Sequence, residues 1–184
     1  MTDEDLSARQ RTMVEVWERH MAAEFATKDV EATMATMTAQ PVVNHVAVMT
    51  GGVGAPQVRQ FYGRYFLPGH PPDVETVPVA RTVGADRIVD ELIYRCTHTI
   101  EMPWILPGVR PTGRRIEFAV IVVVQFEGGK IAGERIYWDL ASVLAQVGLL
   151  DAGKLPVTGS EAARKVLDPA QEPSNALIER ASRA

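Results

Sequence analysis

The sequence contains one cysteine, no long apolar run and no excess of basic residues, and each shortage excludes a class of protein. The lone Cys96 excludes an internal disulfide and any zinc site built from several cysteines. Because no apolar run reaches membrane-spanning length, we expect no association with a membrane. The net charge of −4 provides no basic stripe for phosphates, so we expect no nucleic-acid partner.

Signals for export, metal binding and nucleotide binding are missing as well. The acidic, polar start MTDEDLSARQ is unlike a secretory signal, so we expect a cytoplasmic protein. The four histidines show no paired metal-ligand spacing. Gly52-Val53-Gly54 lacks the third glycine and the strand–helix–strand context of a dinucleotide site. The sequence therefore predicts neither a metal nor a cofactor.

The chain does contain enough apolar material for one globular domain. It has 184 residues, of which 46% are hydrophobic, and a chain of this length can bury a substantial core. We assign residues 1–150 to this domain. Residues 151–184 are rich in proline, serine, alanine and charge, which predicts a tail that packs on the domain or on a partner subunit.

Hydrophobic periodicity predicts three helices and a first strand in the N-terminal half. Apolar residues at three- and four-residue steps indicate a helix over about 6–26. A second, short helix begins at Asp29 and ends at Pro41, and residues 42–48 form a strand. A third helix begins near Pro56, a residue tolerated in a first helical turn.

The second half of the domain is predicted to be mainly sheet. Four strands cover residues 73–83, 88–101, 116–126 and 130–138. Gly128 and Gly129 predict a tight hairpin between the last two strands, and Asp139 is expected to cap a short helix. The proline-rich segment 102–113, with exposed-looking Trp104, Ile105 and Leu106, is predicted to cover a cavity mouth or an interface. The element order predicts an α+β fold with a curved antiparallel sheet.

Three local patterns give the chain a resemblance to a known family. They are Thr97-His98-Thr99 at the end of a long strand, the segment 111–115 before the next strand, and Gly129-Lys130-Ile131 leading to Asp139 and the segment 144–148. Together they resemble the SnoaL-like branch of the nuclear transport factor 2-like superfamily, over residues 14–150. The resemblance implies a cystatin-like cone, in which the sheet wraps around N-terminal helices. It also implies an apolar pocket and a homodimer.

The resemblance assigns catalytic positions that this chain fills with unusual residues. Family cyclases and epoxide hydrolases carry a key aspartate on the last strand, and that position falls on Ile136. The cyclases' polar pair on the preceding strand falls on Val120 and Val122. Asn44 alone is retained, on the first strand. Because isoleucine cannot transfer a proton, neither standard mechanism can operate unchanged.

Strand alternation selects the residues that would face such a pocket. If Ile136 faces inward, so does Glu134, and His98 has the matching parity on the long strand. We predict His98 as acid–base group, Glu134 as its orienting partner or as the base, and Asn44 as a ligand of a substrate oxygen. The alternatives are that His98 only packs and that Glu134 pairs with an arginine. Predicted substrate contacts are His45 (if a bulge turns it inward), Tyr62, Tyr94, Phe118, Val120, Val122, Ile136 and Trp138.

Three functions are compatible with these residues. The first is a cofactor-free acid–base enzyme of the cyclase, isomerase, dehydratase or hydrolase type, acting on a small hydrophobic oxygenated molecule. The second is a binding or accessory domain that has lost the family's catalytic aspartate. The third is a dimerisation module whose pocket is filled by its own side chains.

Overall fold

Six strands form one curved sheet in the computed structural model, which describes residues 6–183. They are β1 (Met37–His45), β2 (Thr50–Val53), β3 (Glu75–Val83), β4 (Arg87–Thr97), β5 (Arg115–Glu127) and β6 (Lys130–Trp138). Their spatial order is β2-β1-β6-β5-β4-β3. The β1–β6 pair is parallel, whereas the other neighbouring pairs are antiparallel. The predicted α+β class is confirmed, and β1–β6 is the one departure from an antiparallel sheet in this part of the chain.

Helices precede β1, connect β2 to β3 and follow β6 in the sequence. They are α1 (Ala8–Met21), α2 (Val30–Ala35), α3 (Ala55–Phe61), α4 (Leu140–Gln146), α5 (Glu161–Leu167) and α6 (Ala176–Ala181). α1 contacts β4 and β6, and it continues into a π-helical segment, Ala22–Thr27. α3 likewise continues into a π-helical segment, Tyr62–Phe66. None of the helices within residues 6–183 combines the length and apolar character needed to cross a lipid bilayer.

The first strand differs from its prediction because a proline lies inside it. β1 begins at Met37 rather than residue 42, and its pairing with β6 shifts register between Met37 and Val42. Pro41 cannot donate a hydrogen bond to a ladder, and an irregularity of this kind accommodates it. The predicted phase of the alternation is also wrong, because Val43 and His45 are the buried residues and Asn44 lies on the other face.

The short strand β2 was not predicted, because its two glycines resemble a loop. Gly51 has φ 141°, and a Cβ atom there would lie 1.9 Å from the carbonyl oxygen of Val43. Only glycine permits this close approach of β2 to β1. Glycine thus serves strand pairing here rather than a turn.

The β5–β6 hairpin agrees with its prediction. Gly128 and Gly129 have φ values of 57° and 76°, the positive values that a two-residue turn of this kind requires. Val122 pairs with Ile136, and every second residue of β5 from Ile116 to Phe126 is buried. This register fixes which side chains of β5 and β6 share the concave face.

The segment after β4 is buried rather than exposed. β4 ends at Thr97, four residues before the predicted end, and the chain then turns inward. Trp104, Ile105 and Leu106 are only 4%, 0% and 2% exposed, so the expectation of exposed side chains is wrong. All three side chains belong to the hydrophobic core. Trp104 can be buried there because its indole nitrogen donates a hydrogen bond to the Gly69 carbonyl oxygen at 3.0 Å.

The segment that follows α4 packs on the sheet. α5 contacts β5, and its Ala163 is fully buried. The Ser142 hydroxyl of α4 donates to the Gly159 carbonyl oxygen at 2.9 Å. These contacts link residues 159–163 to α4 and the sheet.

Replacement of Asp139 tests whether this residue is a helix cap. Its carboxylate accepts hydrogen bonds from the backbone amides of Ala141 (2.9 Å) and Ser142 (3.2 Å). Asp139→Ala should lower the free energy of unfolding by about 1 kcal/mol in urea denaturation, because α4 loses its cap. Asp139→Asn, which keeps an acceptor, should be close to wild type. Equal stability of all three proteins would contradict a capping role.

Candidate functional site

An internal cavity lies between the N-terminal helical segment and the concave face of the sheet. The space that the centre of a water molecule can reach is about 50 Å³, and the walls are mainly apolar. Every residue that the sequence suggested for substrate contact lies in this wall: His45, Tyr62, Tyr94, Phe118, Val120, Val122, Ile136 and Trp138. A contact between these residues and a substrate stays a prediction.

Two buried carboxylates meet a histidine and a tyrosine at the wall of this cavity. The Nε2 atom of His20 lies 3.1 Å from Oε1 of Glu24 and 3.1 Å from Oε1 of Glu134. The Tyr62 hydroxyl donates to the same Glu134 oxygen at 3.1 Å and lies 3.2 Å from His20 Nε2. All four residues are at most 4% exposed. We call this group the His20 cluster.

Neighbouring hydroxyls determine which nitrogen of His20 carries a proton. The Thr36 hydroxyl donates to the Thr33 carbonyl oxygen at 2.6 Å, so its oxygen is left as an acceptor. His20 Nδ1 lies 2.6 Å from this oxygen and therefore donates to it. Nε2 then faces the two glutamates. Its own proton, when present, lies between their oxygens.

The cluster favours a positively charged His20. Burial by itself would lower the pKa of His20, but the Glu134 and Glu24 carboxylates outweigh burial and raise it to about 10. Burial also raises the pKa of Glu24, against the opposing attraction of His20. The pKa of Tyr62 is raised well above its usual value by burial and by the two glutamates. The cluster therefore holds His20 as an imidazolium between the two glutamates.

The π-helical segment brings Glu24 into the cluster. α1 ends at Met21, and the wider turn Ala22–Thr27 follows, with Ala23 and Glu24 buried. A π-helical turn changes the angular position of each later side chain relative to a regular helix. Glu24 lies beside His20 at an i, i+4 spacing, and the next residue, Phe25, also lines the cavity.

The expected convergence of His98 and Asn44 with Glu134 does not occur, because neither residue lines the cavity. His98 lies on the expected face but four residues beyond Tyr94, about 13 Å farther along an extended chain. Its Nδ1 lies 3.2 Å from the Thr112 hydroxyl instead. Asn44 faces away because Val43 and His45 point inward. Of the three predicted catalytic residues, Glu134 alone lines the cavity.

His20 and Glu24 were missed by the sequence reasoning, although a signal for them was present. The apolar stripe on the first helix includes Met13 and Trp17. His20 follows Trp17 by three residues and Glu24 follows it by seven, so both fall on that buried face. Charged residues inside an apolar stripe are expensive to bury and are therefore informative.

His45 lies in an aromatic environment at the cavity wall. Its ring centroid is 5.3 Å from those of Phe61 and Trp104 and 5.7 Å from that of Trp138. Burial lowers the pKa of His45 to about 3, so the ring is neutral at physiological pH. Its buried Nδ1 finds no hydrogen-bond partner among residues 6–183.

The cavity borders an outer cleft in which Arg81 is paired with Asp90. Met21, Thr76 and Leu92 line both spaces. In the cleft, Arg81 donates to both oxygens of Asp90, at 2.6 and 2.7 Å. The cavity wall itself contains no lysine or arginine among the described residues.

His20, Glu24 and Glu134 also satisfy the distance requirement for a metal site. Their ligand atoms lie within 4.8 Å of one another, and no other group of described histidines, cysteines and acids does so. The contacts already present supply a counter-charge for the carboxylates, since an imidazolium lies between them. The expectation that the protein binds no metal stays a prediction.

A known protein family shares this fold. The model of the SnoaL-like polyketide cyclase family matches residues 8–147. The chain belongs to this family. The resemblance inferred from the sequence is therefore confirmed, whereas a search of the curated proteins found no match.

Solved structures show the same SnoaL-like fold at low sequence identity. A protein of Jannaschia sp. CCS1 described as a SnoaL-like polyketide cyclase is 20% identical, covering 80% of this chain and 99% of that chain, with a TM-score of 0.65. TsrD from Streptomyces laurentii is 18% identical, covering 79% and 100%, with a TM-score of 0.61. A ketosteroid isomerase-like protein from Catenulispora acidiphila DSM 44928, solved in complex with trimethylamine, is 20% identical, covering 77% and 98%, with a TM-score of 0.57.

The charge state of His20 predicts how the stability of this SnoaL-like protein depends on pH. Folding raises the pKa of His20 from 6.5 to about 10, so the stabilisation is complete below pH 6.5 and is lost as pH rises towards 10. The free energy of unfolding should fall between pH 7 and pH 8 by about 1 kcal/mol, since one linked proton contributes at most about 1.4 kcal/mol per pH unit. Urea denaturation at constant ionic strength measures this change.

The matched control removes both carboxylates without changing their shape. In the double variant Glu24→Gln/Glu134→Gln, burial alone acts on His20 and keeps the ring neutral. The decline between pH 7 and pH 8 should then disappear. A wild-type protein whose stability does not change over this interval would contradict a charged His20.

Proposed function

We propose that this protein is a cofactor-free acid–base catalyst for a small, neutral, apolar molecule that carries an oxygen function. The observation that carries the proposal is the His20 cluster, in which two glutamates and a tyrosine line an otherwise apolar cavity. Titratable groups whose pKa values are shifted by burial and by specific partners are typical of catalytic sites. The residue types and their burial together support proton transfer.

Glu134 is the proposed base. Its contacts with His20 and with the Tyr62 hydroxyl both fall on Oε1, which leaves Oε2 to accept a proton from a bound molecule. Positively charged His20 lies 3.1 Å from this carboxylate and fixes its orientation. His20 is therefore a positioning residue rather than the group that contacts the substrate.

Glu24 is the proposed acid. Burial raises its pKa and so favours the protonated form, which can donate to a substrate oxygen. Two carboxyl groups with different protonation states in one site provide an acid and a base for the same reaction. Isomerisation, dehydration and cyclisation all use such a pair, because each moves a proton at carbon and another at oxygen.

The cavity wall supports a neutral substrate. No described lysine or arginine lines it, so an anionic molecule would meet the two glutamates without a cationic side chain in the wall. Apolar walls also exclude water, which strengthens the electrostatic interactions of the cluster.

Deuterium exchange tests the proposed chemistry without knowledge of the natural substrate. In D₂O, the wild-type protein should accelerate exchange of the α-hydrogens of 2-tetralone, followed by NMR. Glu134→Gln should reduce the rate about a hundredfold or more, the scale expected for loss of a general base. Glu24→Gln should reduce it as well, because enolate formation loses its acid.

Glu127→Gln is the matched control, because Glu127 is an exposed residue at the β5–β6 turn, remote from the cavity. It should exchange 2-tetralone as fast as the wild type. A folded Glu134→Gln protein with undiminished exchange would remove Glu134 from the proposed mechanism.

Ligand binding without catalysis is the second candidate function. Ile136 supports it, because this isoleucine lines the cavity at the position where family enzymes are expected to carry an aspartate. A binding protein would be stabilised by 2-tetralone in a thermal shift assay, since a ligand of the folded state raises apparent stability. It would nevertheless leave the exchange rate equal to that in buffer.

A further inference from the structure

The end of the cavity formed around Trp138 is enclosed by four aromatic rings. Tyr94 of β4 lies 5.3 Å from Phe118 of β5 and 5.4 Å from Trp104, between ring centroids. The ring centroid of Trp138 of β6 lies 6.4 Å from those of Phe118 and Trp104, so the four rings surround this end of the cavity. We call these four residues the aromatic box. Its members come from three strands and the segment after β4, and all four line the cavity.

The aromatic box and the His20 cluster lie at separate positions along β6. Glu134 and Trp138 are four residues apart, which corresponds to about 13 Å of extended strand. Ile136 lies between them, and its partner Val122 faces the same space. The cavity wall therefore alternates from polar to apolar and back to polar along its length.

Trp138 carries a polar atom that is shielded from solvent and has no partner. Its Nε1 finds no hydrogen-bond acceptor among residues 6–183, and the buried Tyr94 hydroxyl finds no hydrogen-bond partner there either. Trp104 in the same box differs, because its Nε1 donates to the Gly69 carbonyl oxygen at 3.0 Å. Buried N–H groups are normally paired, so an unpaired donor at a cavity wall indicates a group that binds there.

We propose that the aromatic box binds a carbonyl oxygen at one end of an elongated neutral ligand, whose other end reaches Glu134. This inference rests on the proposed function, because it assigns one substrate class to the same cavity. An indole N–H can only donate, so it selects an acceptor oxygen. The rings of the box contact the flat carbon framework next to that oxygen.

The assignment has a measurable consequence for selectivity. A ligand that replaces the carbonyl by an alkene of the same shape leaves the Trp138 donor unpaired in the complex. A site built to hydrogen-bond a ligand oxygen discriminates against the analogue that lacks it. 4-Hydroxyacetophenone and 4-isopropenylphenol form such a pair, because they differ only in C=O against C=CH₂. Both keep a hydroxyl for the glutamate end.

The experiment compares the dissociation constants of these two probes by NMR titration. The wild type should bind the ketone about tenfold more tightly than the alkene, the scale of one additional hydrogen bond. Trp138→Phe keeps an aromatic ring but removes the donor, so the two constants should become about equal. Trp104→Phe is the matched control, because it removes an N–H that is already used by Gly69 and should retain the tenfold preference.

The possible results separate this inference from the proposed function. If Trp138→Phe retains the preference of the wild type, the Trp138 N–H does not bind the carbonyl and the inference is overturned, although the cavity still binds a ligand. If the wild type binds both probes equally, the inference is also overturned. If it binds neither probe at millimolar concentration, this inference fails, and exchange of 2-tetralone then decides separately on the proposed function.

Discussion

The buried charge on His20 is the interaction on which the rest of the site depends. It lies between Glu24 and Glu134, and so connects the N-terminal helical segment to the last strand of the sheet. Removal of one partner would leave a buried charge without compensation, at a cost of about 3–5 kcal/mol. The helix, the π-helical turn and β6 are therefore held in one relative position, with the carboxylates directed at the cavity.

The apolar surroundings strengthen the electrostatic interactions of His20 with the two glutamates. Val120, Val122 and Ile136 exclude water from the cavity wall and keep the local dielectric constant low. A carboxylate in such a place is held by few but strong contacts, and small changes in its partners alter its protonation. At the Trp138 end, aromatic rings provide a second surface with a directed polar atom. The cavity wall therefore carries polar groups at both ends, the two glutamates at one end and the Trp138 indole nitrogen at the other.

Local patterns predicted most of the fold. The glycines at 128 and 129 indicated the hairpin, Asp139 indicated the start of α4, and strand alternation placed Glu134, Ile136 and Trp138 on one face. His98 shows the limit of strand alternation. Alternation predicts the face of the strand on which a side chain lies, but not its position along the strand relative to the cavity. Asn44 and His45 exchanged faces, since the phase of β1 depends on pairing with β6 around Pro41.

The sequence by itself determined the inward faces of β5 and β6, the hairpin between them and the family, because these depend on a period of two residues and on residues near in sequence. It also contained His20 and Glu24 within an apolar stripe. Only the tertiary structure decided that these two residues meet Glu134 and Tyr62, because that meeting depends on how α1 crosses the sheet and on where the π-helical turn directs Glu24. No local sequence pattern predicts which distant side chains meet in the folded protein. The candidate site is formed by side chains that are distant in sequence.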